Sequence, residues 1–146
     1  MKKLSKNITI FYKIKNFFFP FYKSKDIKKL FYILEKDKAK NTQVVMLVGG
    51  CVRKFLADEN VDDIDIASVF TTEEIKEKFK NSKFKVIDTG IEHGSVTVLI
   101  NSSKFEITTL RKDINGDGRH SEVSYIDDWQ QDSERRDFTI NAIYMD

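Results

Sequence analysis

The stretch that decides the fold is "LVGGCVRKFLADENVDDIDIAS", which runs from Leu47 to Ser68. It completes an apolar run, "QVVMLVGG", which is typical of a central strand buried on both faces. After the two glycines, "CVRKFLA" has the period of a helix, and "DIDIASVF" predicts a second strand. The unit therefore predicts a strand, a glycine turn, a helix and a strand, with a cation and two carboxylates close together.

The segments on either side predict further helices and strands. We expect one helix from a cap at Ser24 or Asp26 through about Lys40, and another that begins at Thr71. The segments "FKVIDTG", "GSVTVLI" and "KFEITTL" predict strands, and a turn at 101–103 joins the last two. "RKDINGDGRH" predicts a polar loop, "SEVSYI" a short strand, and "DDWQQDSERRDFTINAIYMD" a charged segment followed by a helix. This order predicts an α+β fold with a mixed sheet.

The composition fits one globular domain. With 146 residues, the chain can bury a real core but is short for two domains. No apolar run approaches the ~20 residues of a membrane span, so we expect no membrane partner. The single cysteine, Cys51, excludes an internal disulfide and favours a reducing compartment, for which we expect the cytoplasm.

Charge is distributed unevenly along the chain. Residues 1–40 hold 12 Lys and no Arg and have a net charge of +9, whereas the remainder has −7. The same 40 residues hold nine of the 18 aromatic side chains, a combination that suits a phosphate backbone or a membrane surface. The plainer interpretation is a poorly ordered leader followed by one amphipathic helix. We therefore divide the chain into a leader with this helix, 1–42, and one domain, 43–146.

Carboxylates on neighbouring strands indicate a metal site. In a strand, Asp63 and Asp65 point to the same face, about 6.6 Å apart along the backbone. Such like charges repel unless a cation such as Mg²⁺, which prefers oxygen ligands, lies between them. Glu106 in "FEITTL" can add a third carboxylate, since Phe105 and Ile107 face the other side. The alternative is that all three carboxylates lie on an ordinary solvent-exposed face.

The glycine turn and the last motif both suit phosphate binding. Gly49 and Gly50 follow a buried strand, so backbone amides can face an anion that Arg53 also reaches. Alone, a pair of glycines is usually only a turn. In "ERRDFTIN", which spans 134–141, adjacent arginines precede an aspartate and suit bidentate contacts to phosphate and sugar. The alternative is that Asp137 caps a final helix and pairs locally with Arg135 and Arg136.

Five motifs in this order resemble the head domain of the class II tRNA nucleotidyltransferase and poly(A) polymerase family, in the polymerase-beta-like superfamily. They are "GGCVRKFL", "DDIDIAS", "EITTLR", "DGRH" and "RRDFTINA", and they cover roughly residues 44–146. The resemblance implies a mixed, antiparallel-rich β-sheet with flanking helices, here preceded by a basic helical leader. It also implies an Mg²⁺-dependent enzyme that adds CMP or AMP from CTP or ATP to an RNA 3′ end, with tRNA as the expected partner.

The resemblance also implies roles for individual residues. Asp63 and Asp65 would bind two Mg²⁺ ions, with Glu106 as the third catalytic carboxylate. The RNA 3′-hydroxyl, activated by one metal, would attack the α-phosphate and release pyrophosphate. The residues expected to bind the nucleotide are Gly49, Gly50, Arg53, Arg136, Asp137 (at the ribose) and Asn141.

The chain departs from the family in two respects. Lys54 stands where the family segment has an aspartate. The family's neck, body and tail, which select the base and hold tRNA, have no counterpart, so we expect a separate neck-and-body chain or self-association. The product, CCA or poly(A), stays open. The alternatives are a truncated or split head that binds nucleotide or RNA without catalysis, and a small transferase with a non-RNA substrate.

Overall fold

The structure is a computed structural model that describes residues 2–90, 93–116 and 121–146. Helices and strands alternate irregularly along the chain. The helices are α1 (Lys2–Phe18), α2 (Lys25–Glu35), α3 (Gly50–Leu56), α4 (Thr72–Phe79) and α5 (Trp129–Glu134). The strands are β1 (Val45–Val48), β2 (Ile64–Ser68), β3 (Lys85–Gly90), β4 (Ser95–Ile100), β5 (Ser103–Thr109), β6 (Arg111–Gly116), β7 (Ser121–Tyr125) and β8 (Tyr144–Met145). The predicted α+β class is confirmed.

Six strands form one sheet in the order β3-β4-β5-β2-β1-β8, and β6 and β7 form a separate hairpin. In the described sheet, β2 and β5 run parallel, and the remaining neighbouring pairs are antiparallel. The predicted mixed, antiparallel-rich sheet is therefore confirmed. Strand β1 lies between β2 and β8, so the prediction of a central strand is also confirmed.

One face of the sheet packs against α2, α3 and α4 and forms the main core. Leu30, Val52 and Phe79, one from each helix, are at most 2% exposed in this cluster. The strands contribute alternate side chains, such as Phe105 and Ile107 on β5, because successive residues of a strand point to opposite faces. The residue between these two, at 106, is left on the opposite face of the sheet.

Side-chain caps fix where the helices begin. The Ser24 hydroxyl accepts a hydrogen bond from the backbone N–H of Ile27 at 3.3 Å, so Ser24 rather than Asp26 caps α2. Asp26 instead accepts from the side chains of Asn101, at 2.7 Å, and Ser103, at 3.1 Å, and so links α2 to the turn before β5. Residue 71 caps α4 with a complete capping box, as the sequence predicts for its start.

The leader forms the helix α1 beside the loop that connects α3 to β2. The Lys15 ammonium donates to the side-chain oxygen of Asn60 at 3.2 Å. The ring centroids of Phe21 and Tyr22 lie 5.6 and 5.4 Å from the ring centroid of Phe55 on α3. None of the helices in the described ranges has both the length and the apolar content to cross a membrane.

Three secondary-structure predictions were wrong. Helix α2 ends at Glu35, not near Lys40. The predicted polar loop contains β6, because pairing with β7 satisfies the backbone of a segment whose side chains carry no strand pattern. The C-terminal segment is α5, a 3-10 turn at Thr139–Asn141 and β8 rather than one charged stretch and a helix. The "DGRH" loop, 117–120, lies outside the described residues.

Candidate active site

Two carboxylates meet on the face of the sheet opposite the main core. Asp65 on β2 and Glu106 on β5 are register partners across the parallel pair, where strands lie about 4.8 Å apart. Both line a cavity of about 360 Å³. Asp63 is exposed and precedes β2, which begins at Ile64, so the prediction that Asp63 lies within the strand was wrong.

These carboxylates repel one another in the absence of a cation. Burial raises the pKa of Asp65, and the negative charges of Glu106 and Asp63 raise it further. A divalent cation would reverse this effect, and a set of carboxylate oxygens suits Mg²⁺. Within the described ranges, however, no three His, Cys, Asp or Glu side chains are gathered closely enough to hold a metal. The structure thus brings together Asp65 and Glu106, with Asp63 at the edge.

The two glycines shape the wall of the cavity beside these carboxylates. Gly49 has φ +69° and ψ −122°, a conformation that side chains disfavour. Its N–H donates to the carbonyl of Ile143 at 3.0 Å, so this amide is already used within the protein. Gly50 begins α3, and a Cβ built there would lie 3.7 Å from Oδ2 of Asp65. A side chain at position 50 would therefore narrow the cavity at its carboxylate.

Arg53 and Asn141 connect the glycine turn to the C-terminal segment. The guanidinium of Arg53 donates to the side-chain oxygen of Asn141, a contact between residues 88 positions apart. Asn141 lines the cavity and Arg53 supports it from α3. Arg53 is therefore joined to the cavity lining through Asn141, and its expected contact with the phosphates stays a prediction.

A buried aspartate that the sequence analysis did not single out organises the basic side of the cavity. The side chain of Asp132 on α5 is fully buried and accepts hydrogen bonds from Arg135 Nη2 at 2.6 Å and from Arg136 Nη2 at 3.0 Å. It also accepts from the Tyr144 hydroxyl at 2.5 Å. The arginines pair with Asp132, so the alternative in which Asp137 pairs with them and caps a helix was wrong.

Asp132, Arg136 and Tyr144 shift one another's pKa values. Burial alone would raise the pKa of Asp132, but hydrogen bonds from Tyr144 and Arg135 outweigh it, and the pKa is lowered. Burial and the hydrogen bond to Asp132 raise the pKa of Tyr144 to about 12. Burial opposes the charge of Arg136, but Asp132 more than compensates and raises the pKa of Arg136. At neutral pH, Asp132 and Arg136 are thus both charged, whereas Tyr144 keeps its proton and donates it to Asp132 in a hydrogen bond.

Most of the residues predicted from the sequence converge on one place. Those that line the cavity are Gly49, Gly50, Asp65, Glu106, Arg136 and Asn141. Asp63 and Arg53 adjoin it, whereas Asp137 is exposed and outside the lining. The lining also contains Arg135, the other of the two adjacent arginines that the sequence analysis considered for phosphate contacts, and Thr108 and Arg111, which it did not single out. The signal for Arg111 is that it directly follows the strand that carries Glu106, in "EITTLR".

The sequence is similar to proteins named as CCA tRNA nucleotidyltransferases and CCA-adding enzymes. The chain is 41% identical over 107 residues to the mitochondrial CCA tRNA nucleotidyltransferase 1 of Danio rerio, which covers 73% of this chain and 25% of that protein. It is 46% identical over 100 residues to the CCA-adding enzyme of Lactobacillus delbrueckii subsp. bulgaricus, with 67% and 24% covered. The chain therefore spans about a quarter of the length of these curated relatives.

The fold is similar to that of solved structures from the same group. The Bacillus stearothermophilus CCA-adding enzyme, solved in complex with CTP, matches with a TM-score of 0.64 at 32% identity, over 84% of this chain and 28% of that one. The family model of the poly A polymerase head domain matches residues 45–146, which include every strand of the sheet and the whole cavity lining. Because this match covers well over half of the sequence, the chain belongs to the poly A polymerase head domain family.

Proposed function

We propose that this chain is the catalytic head of an Mg²⁺-dependent nucleotidyltransferase that adds CMP or AMP from CTP or ATP to the 3′ end of tRNA. In this proposal, residues 43–146 form the head and residues 1–42 form a leader with α2. The relatives support tRNA as the substrate, since they are named for CCA addition. The solved relatives include one in complex with CTP and one with a primer tRNA and an incoming ATP analogue.

The observation that carries the proposal is the meeting of acidic and basic groups in one cavity. Asp65 and Glu106 lie in register on adjacent strands, and Arg136 lines the same cavity. A nucleoside triphosphate with a divalent metal has matching chemistry, because the metal suits the carboxylates and the phosphates suit the guanidinium. The cavity volume, about 360 Å³, lies within the ~300–1,000 Å³ of ordinary ligand sites.

We propose that Asp63 and Asp65 hold Mg²⁺, with Glu106 as the third carboxylate. When bound, such an ion polarises phosphate oxygens and offsets the charge that develops during phosphoryl transfer. The raised pKa of Asp65 supports this assignment, because burial and repulsion make a cation favourable at this position. Asp63 is exposed and directly precedes β2, and in this proposal its side chain turns toward an ion beside Asp65.

The other residues bind and orient the nucleotide. Arg136, held by Asp132, would contact the triphosphate without having to order its side chain on binding. Gly49 and Gly50 would let phosphates approach the backbone, and Arg53 would hold Asn141 against the nucleotide. Exposed Asp137, next to Arg136, would accept a hydrogen bond from the ribose.

In the reaction, the RNA 3′-hydroxyl loses its proton to solvent, and its oxygen forms a bond to the α-phosphorus. The bond from that phosphorus to the bridging oxygen breaks, and pyrophosphate leaves with the electron pair. The chain's contribution is to hold the triphosphate in line with this attack, since positioning can account for about 7–11 kcal/mol of a barrier. The cytoplasmic location expected from the sequence stays a prediction.

The test is to replace both aspartates at once. We expect Asp63→Asn with Asp65→Asn to abolish Mg²⁺-dependent CTP and ATP binding in calorimetric titration, without loss of thermal stability, because the change removes repulsion. The matched control is Glu77→Gln with Asp88→Asn, which also removes two carboxylates. These two are exposed, lie outside the cavity lining and pair with lysines at the protein surface, so we expect the control to bind nucleotide as the unaltered chain does.

Addition of labelled CMP or AMP to tRNA that lacks its terminal nucleotides is measured with the same variants. Equal Mg²⁺-dependent binding by the site variant and the control would refute the carboxylate assignment. Binding without addition by the unaltered chain would instead favour the alternative, a head domain that binds nucleotide but is catalytically incomplete. That outcome would be followed by adding a neck-and-body chain as a second component.

A further inference from the structure

Arg111, the first residue of β6, lines the cavity and carries an unused hydrogen-bond donor. Its Nε atom is buried and has no hydrogen-bond partner among the described residues. The other end of the guanidinium donates to the backbone carbonyl of His93, which fixes its direction. A buried donor without an acceptor is unfavourable, so its persistence in a residue that lines the cavity points to an acceptor that arrives with a ligand.

The backbone of Arg111 is held by the same network that holds the other two arginines. Its N–H donates to Oδ1 of Asp132 at 3.1 Å, and its carbonyl accepts from Nε of Arg135 at 2.8 Å. Asp132 also binds Arg136. The position of Arg111 is therefore set by a fully buried carboxylate and not by a flexible surface segment.

The charge on this side of the cavity is not balanced. Three arginines line it, at 111, 135 and 136, and Asp132 is the carboxylate that they share. Burial, together with the positive charge of Arg135, lowers the pKa of Arg111, which reports the cost of this crowding. An incoming oxyanion would relieve both the crowding of charge and the unpaired Nε.

We propose that Arg111 is a phosphate-binding residue of the cavity, in addition to the residues that the sequence analysis predicted. Its buried Nε would donate to a phosphate oxygen, supplied either by the triphosphate of the nucleotide or by the last phosphodiester of the RNA. This inference rests on the proposed function. Arg135 binds Asp132 through Nε and Nη2, whereas Arg111 has a buried Nε without a partner among the described residues.

The test compares Arg111→Gln with Lys112→Gln. Lys112 is the next residue on β6 and is exposed, so its replacement removes the same charge outside the cavity. Arg111→Lys is the third variant, which keeps the charge but loses Nε, and it also covers the case in which Arg111→Gln does not fold. Binding of ATP, adenosine, and a short single-stranded RNA with either an ordinary or an uncharged methylphosphonate last linkage is measured by calorimetry, with Mg²⁺ present.

We expect Arg111→Gln and Arg111→Lys to lower the affinity for one ligand, ATP or RNA, about tenfold or more relative to Lys112→Gln, because a hydrogen bond to a charged group is lost. Weaker binding of ATP but not of adenosine identifies the triphosphate as the source. If instead RNA binding weakens and the two linkages become equivalent, the source is the phosphodiester.

Affinities for ATP and RNA within twofold of Lys112→Gln in both Arg111 variants would overturn the subsite while the proposed function stands. If the unaltered chain binds neither ATP nor RNA, the proposed function fails, and the subsite fails with it.

Discussion

Replacement of Asp132 by Asn is the sharpest test of how the basic side of the cavity is built. The change keeps the shape of the side chain but removes its charge, at a position that is 0% exposed. Asp132 accepts from Arg135, Arg136 and Tyr144, so the substitution leaves two guanidinium groups without their counter-ion. An amide oxygen can accept only part of these bonds, and the amide nitrogen would face positive charge.

The expected loss is large because both arginines are themselves mostly buried. Their side chains are 16% and 18% exposed at positions 135 and 136, so water replaces the lost carboxylate only in part. Breaking a buried ion pair by removing one partner destabilises by about 3–5 kcal/mol. For a chain of 146 residues, a loss of 1 kcal/mol lowers the melting temperature by about 2–4 °C, so we expect a fall of roughly 6–20 °C.

The matched control lies in the same helix. Asp128 caps α5 and accepts from the backbone N–H groups of residues 130 and 131 while being exposed. Asn caps helices about as well as Asp, so Asp128→Asn should change stability by only a few tenths of a kcal/mol. Thermal unfolding followed by circular dichroism, with urea titration of both variants, gives the two free energies of unfolding.

A melting temperature for Asp132→Asn within about 2 °C of the Asp128→Asn value would refute the reasoning, since 2 °C corresponds to at most about 1 kcal/mol. A second readout concerns binding. Arg136 should lose its fixed orientation, so ATP affinity should fall in Asp132→Asn while adenosine affinity changes less. A destabilised variant with unchanged ATP affinity at low temperature would show that Asp132 holds the fold but does not position Arg136.

The pKa shifts predict how these effects depend on pH. The folded state lowers the pKa of Asp132, so its contribution is present above the unfolded value, ~3.9, and is lost as pH falls through the folded value. The stability gap between the unaltered chain and Asp132→Asn should therefore narrow below about pH 4. The pKa of Tyr144 is raised to about 12, so its contribution is present below ~10 and is lost as pH rises toward 12. Comparison with Tyr144→Phe isolates that loss.

Three further predictions concern the glycine turn, Lys54 and the leader. Gly49→Ala should lower the free energy of unfolding in urea by about 1–3 kcal/mol, because alanine disfavours the backbone conformation of this residue. Crowding should contribute little, since the new Cβ would lie 3.5 Å from the carbonyl oxygen of Asn141. An unchanged urea midpoint would contradict this. Lys54→Asp removes the ion pair with Asp62, so we expect a small fall in melting temperature that 1 M NaCl abolishes, and a salt-independent loss would point to another partner. Deletion of residues 1–22 should weaken RNA binding and flatten its salt dependence, because that segment carries lysines and no acidic residue; equal salt slopes would exclude the leader.

The parts of the fold that could be predicted are those with a local signal. The buried strand before Gly49, the helix after it and the start of α4 follow from apolar runs and caps within a few residues. Strand β6 could not be predicted, because its side chains are polar and its backbone is satisfied by β7. Residues 144–145 form β8 only because β1 offers them an unpaired edge, and the sequence does not show which strand edges are free.

The residues of the site also divide into those with a local sequence signal and those without one. Asp65 and Glu106 could be assigned from alternation within their own strands, and the parallel pairing then brought them together. Asp132 could not be recognised as important, because an aspartate followed by arginines at i+3 and i+4 is typical of an exposed helix face. Asp132 differs because it also accepts hydrogen bonds from Tyr144 of β8, twelve residues later in the chain, and from the backbone N–H of Arg111 in β6. Burial of this kind depends on the packing of distant elements.

Lys54 illustrates how a departure from the family pattern is accommodated. The family segment has an aspartate here, and a lysine beside the carboxylates would be expected to compete with a metal for them. In the structure, the Lys54 ammonium pairs with Asp62, and Lys54 is not among the residues that line the cavity. Hydrogen bonding to Asp62 raises the pKa of Lys54 and lowers that of Asp62, so the two charges neutralise each other locally. Burial raises the pKa of Asp65, and the positive charge of Lys54 opposes that rise. Because Asp62 is the hydrogen-bond partner of Lys54, we expect the lysine to leave the proposed metal site accessible.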